Sequence, residues 1–152
     1  MGKENAKMII RTMTAEDIIA VRNMEQGLFA EDWSEHIWQQ ELSNEISNYL
    51  LLEEAGTVLA FAGYWLVAGE AQVTRVATSK EHQRRGLGAQ LMSALVERAH
   101  QQQAFVVSLE VRESNRAARE LYRKLGFREQ GIRPNYYRTT HENAVLMDLV
   151  VE

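Results

Sequence analysis

Gln83-Arg84-Arg85-Gly86-Leu87-Gly88-Ala89 is the stretch on which the fold turns. Before it, the run Val73 to Thr78 reads as a strand. After it, Leu87, Leu91, Ala94, Leu95 and Ala99 recur at helical spacing. The segment is therefore a glycine loop between a strand and an amphipathic helix. Two glycines let a ligand come close to the backbone. The first helical turn supplies unpaired N–H groups and a positive dipole end, a ready anion site. Arg84 and Arg85 add fixed positive charge, so the chemistry suggested is diphosphate binding through main-chain donors. The same residues also fit an ordinary strand-to-helix turn with a solvated arginine pair. Two nucleotide loops do not fit. A Walker loop ends Gly-Lys-Ser/Thr, whereas Ala89-Gln90 follow Gly88, and a dinucleotide fingerprint needs glycine where Leu91 stands.

Working outward toward the N-terminus, Ala71 to Thr78, Val58 to Val67 and Asn48 to Leu52 read as strands. Ala68-Gly69-Glu70 and Glu54-Ala55-Gly56 are the turns between them, which implies an antiparallel meander. Ser34 caps a helix, with Trp33 before the cap and Trp38 four residues into it, the spacing of a hydrophobic staple. Thr14 caps an earlier helix carrying Ile18, Val21 and Leu28 on one face, after a short strand from Met8 to Met13. Toward the C-terminus, Phe105, Val107, Leu109 and Val111 alternate with Val106, Ser108 and Glu110 in a strand from Ala104 to Val111. Asn115 caps a helix with Ala118, Leu121, Tyr122 and Leu125 inward and Gly126 at its stop. Phe127 to Gly131 and Ala144 to Val151 read as closing strands. This order predicts a mixed α/β (α+β) fold, a mixed sheet with helices on its faces.

The composition narrows the class. At 152 residues the chain suits one domain, 1–152, with residues 1–7 expected to form a flexible tail. Seventeen Lys and Arg against 21 Asp and Glu give a net charge of −4, which argues against a broad nucleic-acid or anionic-membrane surface. No cysteine is present, so disulfides, thiolate metal sites and a cysteine nucleophile are excluded. His36, His82, His100 and His141 show no metal-ligand spacing, and no metal is assigned. No apolar run approaches the roughly 18–20 residues needed to cross a bilayer. Residues 1–7 lack the apolar core of a signal peptide, and Ala6 breaks the myristoylation pattern, so the cytoplasm is the expected compartment.

With its preceding strand, the loop resembles motif A of the GNAT acetyltransferase superfamily, here Gln83-x-x-Gly86-x-Gly88. The order of elements resembles that family over nearly the whole chain. Leu109-Glu110-Val111-Arg112-Glu113-Ser114-Asn115, then Ala118, Leu121-Tyr122 and Leu125-Gly126-Phe127, look like the matching stretch of its ribosomal-protein-alanine N-acetyltransferases. Arg133-Pro134-Asn135-Tyr136-Tyr137 resembles their substrate-side loop. The resemblance implies a central twisted sheet of about seven strands with about four helices, and acetyl-CoA as the acetyl donor. It implies that Val76, Ala77 and Thr78 pair their backbone with the pantetheine arm. Arg84, Arg85, Gly86, Leu87, Gly88 and Ala89 would hold the diphosphate, and Asn115 would bond the cofactor near its thiol. Glu110 matches the family's general base and Tyr122 its general acid, while Tyr136 and Tyr137 would line the acceptor groove. Arg75 departs from the small polar residue, often Asn, of many relatives. It would either salt-bridge outward or reshape the acceptor side.

These roles suit the residue types. Amine acetylation requires that an ammonium lose a proton, a thioester carbonyl be polarised and a thiolate be protonated. A carboxylate at the end of an apolar strand tends toward a raised pKa, useful in a base, although a strand-end Glu paired with Arg112 is the plain alternative. A phenol is well matched to protonating a thiolate, and a core tyrosine is the plain alternative for Tyr122. Backbone N–H groups of Val76 to Thr78 could polarise the carbonyl. Without cysteine, an acetyl-cysteine intermediate is excluded and direct attack in a ternary complex is expected. The expected acceptor is the α-amino group of a protein N-terminus, a ribosomal protein starting with Ala. A small amine or lysine side chain, and a non-catalytic acyl-CoA-binding module, are the alternatives.

Overall fold

Two tight turns set the meander. At Ala55-Gly56 and at Ala68-Gly69 both central residues have positive φ (52° and 85°, 51° and 83°), as a two-residue hairpin of type I′ demands. In the computed structural model, which describes residues 7–29, 31–137 and 140–151, these turns join β2 (Ser47–Glu54), β3 (Thr57–Val67) and β4 (Glu70–Thr78). Before them come β1 (Met8–Thr12), α1 (Ile18–Met24) and α2 (Glu35–Ser43). After them come α3 (Leu87–Gln101), β5 (Val106–Arg112), α4 (Arg116–Lys124), β6 (Arg128–Tyr137) and β7 (Glu142–Val150). The seven strands form one mixed sheet in the order β1-β2-β3-β4-β5-β7-β6. No helix among the described residues is long and apolar enough to cross a membrane. Of the expected tail, residues 1–6 lie outside the described residues, and the Lys7 carbonyl accepts from the Ala55 amide at 3.4 Å.

The chain divides into two compact units. The first runs through Tyr64 and adds Arg75–Leu95, and the second is Trp65–Thr74 with the chain from Val96 onward. Trp38 is the centre of the first unit. Its fully buried ring meets Trp33, Tyr49 and Phe61 edge-on at centroid distances of 4.8, 5.3 and 5.3 Å. The Trp33 contact is the staple that the spacing predicts, and the Ser34 hydroxyl accepts from the Ile37 amide at 3.2 Å. Met13, Ile18, Val21, Leu51 and Ala77 complete this core. Arg11 on β1 locks the entry to α1. Its guanidinium donates to both oxygens of Asp17 (2.9 and 2.8 Å) and to Glu53, while Asp17 also accepts from the Thr14 amide at 2.8 Å.

In the second unit β5 pairs antiparallel with β7, from Val106 opposite Val150 to Arg112 opposite Ala144. It pairs parallel with β4 from Glu70 opposite Val106 to Gln72 opposite Ser108. Val107, Leu109 and Val111 are buried, and Val106, Ser108 and Glu110 are half-buried, so the alternation read from the sequence holds within the strand. Phe105 departs from it: the residue precedes β5, is exposed, and its ring covers Gly69, where a Cβ would come within 2.8 Å of it. A second departure concerns β6. The expected strand stopped at Gly131 with a loop to Tyr137, yet the strand continues through Tyr137. Register shifts between Glu129 and Gly131 and between Arg133 and Tyr137 break the period-two pattern and hide it from a sequence reading. Pro134 is tolerated because β6 is the last strand of the sheet.

Candidate active site

Strand alternation turns Glu110 to the half-buried face of β5, and the antiparallel partner β7 carries β6 beyond it. On that face a cavity of about 230 Å³ is lined by Gln72, Ser108, Glu110, Gln130, Arg133 and Asp148, with apolar residues between them. Both oxygens of Glu110 look toward β6. The Tyr136 hydroxyl lies 3.4 Å from Oε1, and Arg133 Nη1 lies 3.1 Å from Oε2. That ion pair is poorly aligned: Oε2 is buried and accepts no hydrogen bond. An unsatisfied carboxylate oxygen in a cavity is costly in a resting protein and is characteristic of a site that meets a ligand. The cation beside Glu110 is Arg133. Arg112, the partner considered from the sequence, instead stacks over Tyr137 at 4.1 Å and reaches Thr140 at 3.0 Å and Glu142 at 3.5 Å.

The structure brings the tyrosine pair of β6 to the same place. Tyr136 and Tyr137 meet edge-on at 5.1 Å, the first exposed and the second half-buried. Burial pushes the Tyr137 phenol up, Arg112 opposes this, and the Glu110 charge adds to the rise. On α4, the Tyr122 ring packs at 5.8 Å from Phe127. Burial, helped by Tyr137, pushes its phenol up to about 12, so Tyr122 holds its proton across the neutral range. Asn115 is the N-cap of α4: its Oδ1 accepts from the Ala118 amide at 3.1 Å, a bond that leaves the donor end of the amide out of the cap.

The glycine loop and its strand belong to the first unit. Arg84 has φ +69° and Gly86 φ +79°, so the loop turns through the left-handed region twice before α3 begins. Nothing lies within 4 Å of the place a Gly86 Cβ would occupy, so glycine serves the backbone conformation there and leaves the space in front of the loop open. The Gln83 side chain folds back onto the Thr78 carbonyl at 3.2 Å and ties the loop to its strand. Arg84 and Arg85 are both exposed, and Arg85 is drawn toward Glu54 at 3.4 Å. Val76, Ala77 and Thr78 lie beyond the registered pairing of β4 with β5.

Two charged residues carry weight that sequence reasoning missed. Arg133 stands in the sequence only as part of a resembling segment, and nothing local marks Glu25. Arg75 was weighed as an outward salt bridge or an acceptor-side residue. It is buried, donates to Glu25 at 3.0 Å, and lies over the rings of Phe29 (3.7 Å) and Trp33 (4.3 Å). The available signal was an arginine in an apolar strand, which needs an acidic partner somewhere inside the fold.

A seven-stranded mixed sheet with a glycine loop opening its long helix, and a carboxylate on β5 that meets a tyrosine of β6 across β7, suits a group-transfer enzyme. The chain belongs to the acetyltransferase (GNAT) family, whose model matches residues 16–127, and it is an acetyltransferase. It is 35% identical over 144 residues to the ribosomal protein bS18-alanine N-acetyltransferase of Escherichia coli K12, covering 93% of this chain and 97% of that one. It is 30% identical over 153 residues to the N-alpha-acetyltransferase RimI of Mycobacterium tuberculosis, covering 97% and 95%. The crystal structure of the Escherichia coli ribosomal-protein-S18-alanine N-acetyltransferase superposes with a TM-score of 0.88 at 34% identity, over 96% of this chain and 95% of that one.

Proposed function

We propose that this enzyme moves acetyl from acetyl-CoA to the α-amino group of a protein N-terminus, the acceptor being a ribosomal protein that begins with alanine. The Escherichia coli relative, similar in sequence and in crystal structure, is named for that acceptor and supports the choice. The observation that carries the chemistry is the buried, unsatisfied Oε2 of Glu110, which faces a cavity beside Tyr136. Glu110 takes the proton of the ammonium, directly or through a water. The freed lone pair forms the N–C bond while the C–S bond breaks, and the departing thiolate takes its proton from Tyr122. Burial keeps the phenol protonated and so able to donate, though it also makes it a weaker acid than a solvated phenol. With no cysteine in the chain, transfer is direct.

For the donor, the open loop Arg84 to Ala89 fits a diphosphate, with Arg84 and Arg85 countering its charge. Val76, Ala77 and Thr78 would offer the pantetheine arm their backbone groups, and Asn115 its amide. Tyr136 and Tyr137 line the acceptor side. Arg75 lends no support to a small-amine acceptor, since Glu25 and two aromatic rings occupy its guanidinium. The test is CoA release with acetyl-CoA and short peptides of differing first residue, against free polyamines and N-terminally blocked lysine peptides. Turnover restricted to Ala-start peptides is expected. Preference for polyamines or blocked peptides would move the acceptor class.

A further inference from the structure

The cavity at Glu110 holds two carboxylates, Glu110 and Asp148, and one guanidinium, Arg133. Asp148 is engaged by Gln130 Nε2 at 2.9 Å. The balance is one negative charge in excess, a setting that favours a second cation. Glu110 is the more enclosed partner: its side chain is 20% exposed against 54% for Arg133. Arg133 reaches it from an exposed edge strand, with Tyr136 beneath its guanidinium at 5.1 Å, and makes no aligned hydrogen bond to the buried Oε2. Such a contact is electrostatically attractive but weak, and its cation has a short way back to water.

We propose that Arg133 is a positioning residue that holds the place of the acceptor's ammonium against Glu110. In the unliganded enzyme it occupies the place beside the carboxylate. The arriving α-ammonium displaces the guanidinium, satisfies Oε2 with an aligned hydrogen bond and leaves Glu110 facing a proton it can take. Among the described residues, the other charged or titratable groups facing Glu110 are Tyr136 and Tyr137 from β6 and Asp148 from β7, with Arg112 on its own strand committed to Tyr137, Thr140 and Glu142. Only Arg133 among them is a cation placed on Oε2.

The inference rests on Glu110 being the base, and the experiment keeps the two apart. Initial rates are followed against the concentration of an Ala-start peptide for wild type, Arg133→Gln, Arg133→Lys and Glu110→Gln. In Arg133→Gln the peptide KM falls about threefold, the scale of a half-exposed ion pair. Its kcat is unchanged, so the effect is a split between KM and kcat, because the guanidinium competes with the ammonium for Oε2 and takes no part in the chemical step. Arg133→Lys, which keeps a cation, stays near wild type in both. A raised KM would overturn the proposal and make Arg133 a grip on the peptide. So would no change in either quantity. Glu110→Gln reports on the base alone: if its rates match wild type, the base assignment fails and the placeholder falls with it. Equal thermal midpoints across the Arg133 variants exclude a folding defect.

Discussion

Arg75 Nε donates to Glu25 Oε1 at 3.0 Å, and both side chains are less than a tenth exposed. The other oxygen of Glu25 accepts from Trp38 Nε1 at 3.0 Å, and Arg75 Nη2 reaches the Glu31 carbonyl at 3.2 Å. One arginine therefore ties β4 to α1 and to the segment leading into α2, one residue ahead of Val76.

Removing either partner leaves a buried charge without its counter-ion, a loss of roughly 3–5 kcal/mol. Arg75→Leu is expected to lower the urea midpoint sharply, whereas Glu25→Met with Arg75→Leu recovers most of the loss. A single variant as stable as wild type in urea denaturation would contradict this.

Gly63 lies under the buried ring of Tyr49: a Cβ there would come within 2.1 Å of it. Neither the ring nor strand β3 has room to give, so Gly63→Ala is expected to destabilise the fold by about 3 kcal/mol, the upper end of overpacking. Pairing it with Tyr49→Leu relieves the clash, and a calorimetric double-mutant cycle measures the coupling.

At Gly86 the space is open and only the backbone objects, since φ is +79°. Gly86→Ala should cost stability only about 1 kcal/mol. If the loop cradles a diphosphate, calorimetric affinity for CoA falls far more than that, because a methyl group now stands in front of the donors.

Asp17 sits below the ordinary carboxylate range, chiefly because the Arg11 guanidinium hydrogen-bonds it, with Thr14 adding to the effect. Its contribution is present above that range and is lost as pH falls through its lowered pKa. Asp17→Asn is expected to cost about 1 kcal/mol near neutrality, the scale of a helix cap. The difference from wild type should close in acid, which a series of unfolding curves against pH would show.

Tyr122→Phe removes the proposed acid while keeping the ring against Phe127. A loss of about a hundredfold in kcat is expected, within the range of general acid catalysis. An unchanged kcat with a normal thermal midpoint would return Tyr122 to the core.

Much of this was legible from neighbours in the chain. The staple Trp33–Trp38, the caps at Ser34 and Asn115, the meander turns and the glycine loop depend on contacts within a few residues. The face of Glu110 followed from strand alternation, and its role from resemblance. The continuation of β6 past Gly131 was missed because register shifts destroy its alternation, and Phe105 was misplaced because its ring covers a turn rather than joining the sheet.

What the sequence determined by itself is the order and type of the elements, the family, and the residue types available for acetyl transfer, because periodicity, caps and turn residues act locally. Which charge meets which was decided by the tertiary structure. Glu25 and Arg75 are fifty residues apart, and Glu110 and Tyr136 are twenty-six apart. Strand order and register bring such pairs together, and sequence spacing carries no record of either. Of the candidate cations near Glu110, the sequence neighbour Arg112 turned to Tyr137 and Glu142, and Arg133 came in from the edge strand.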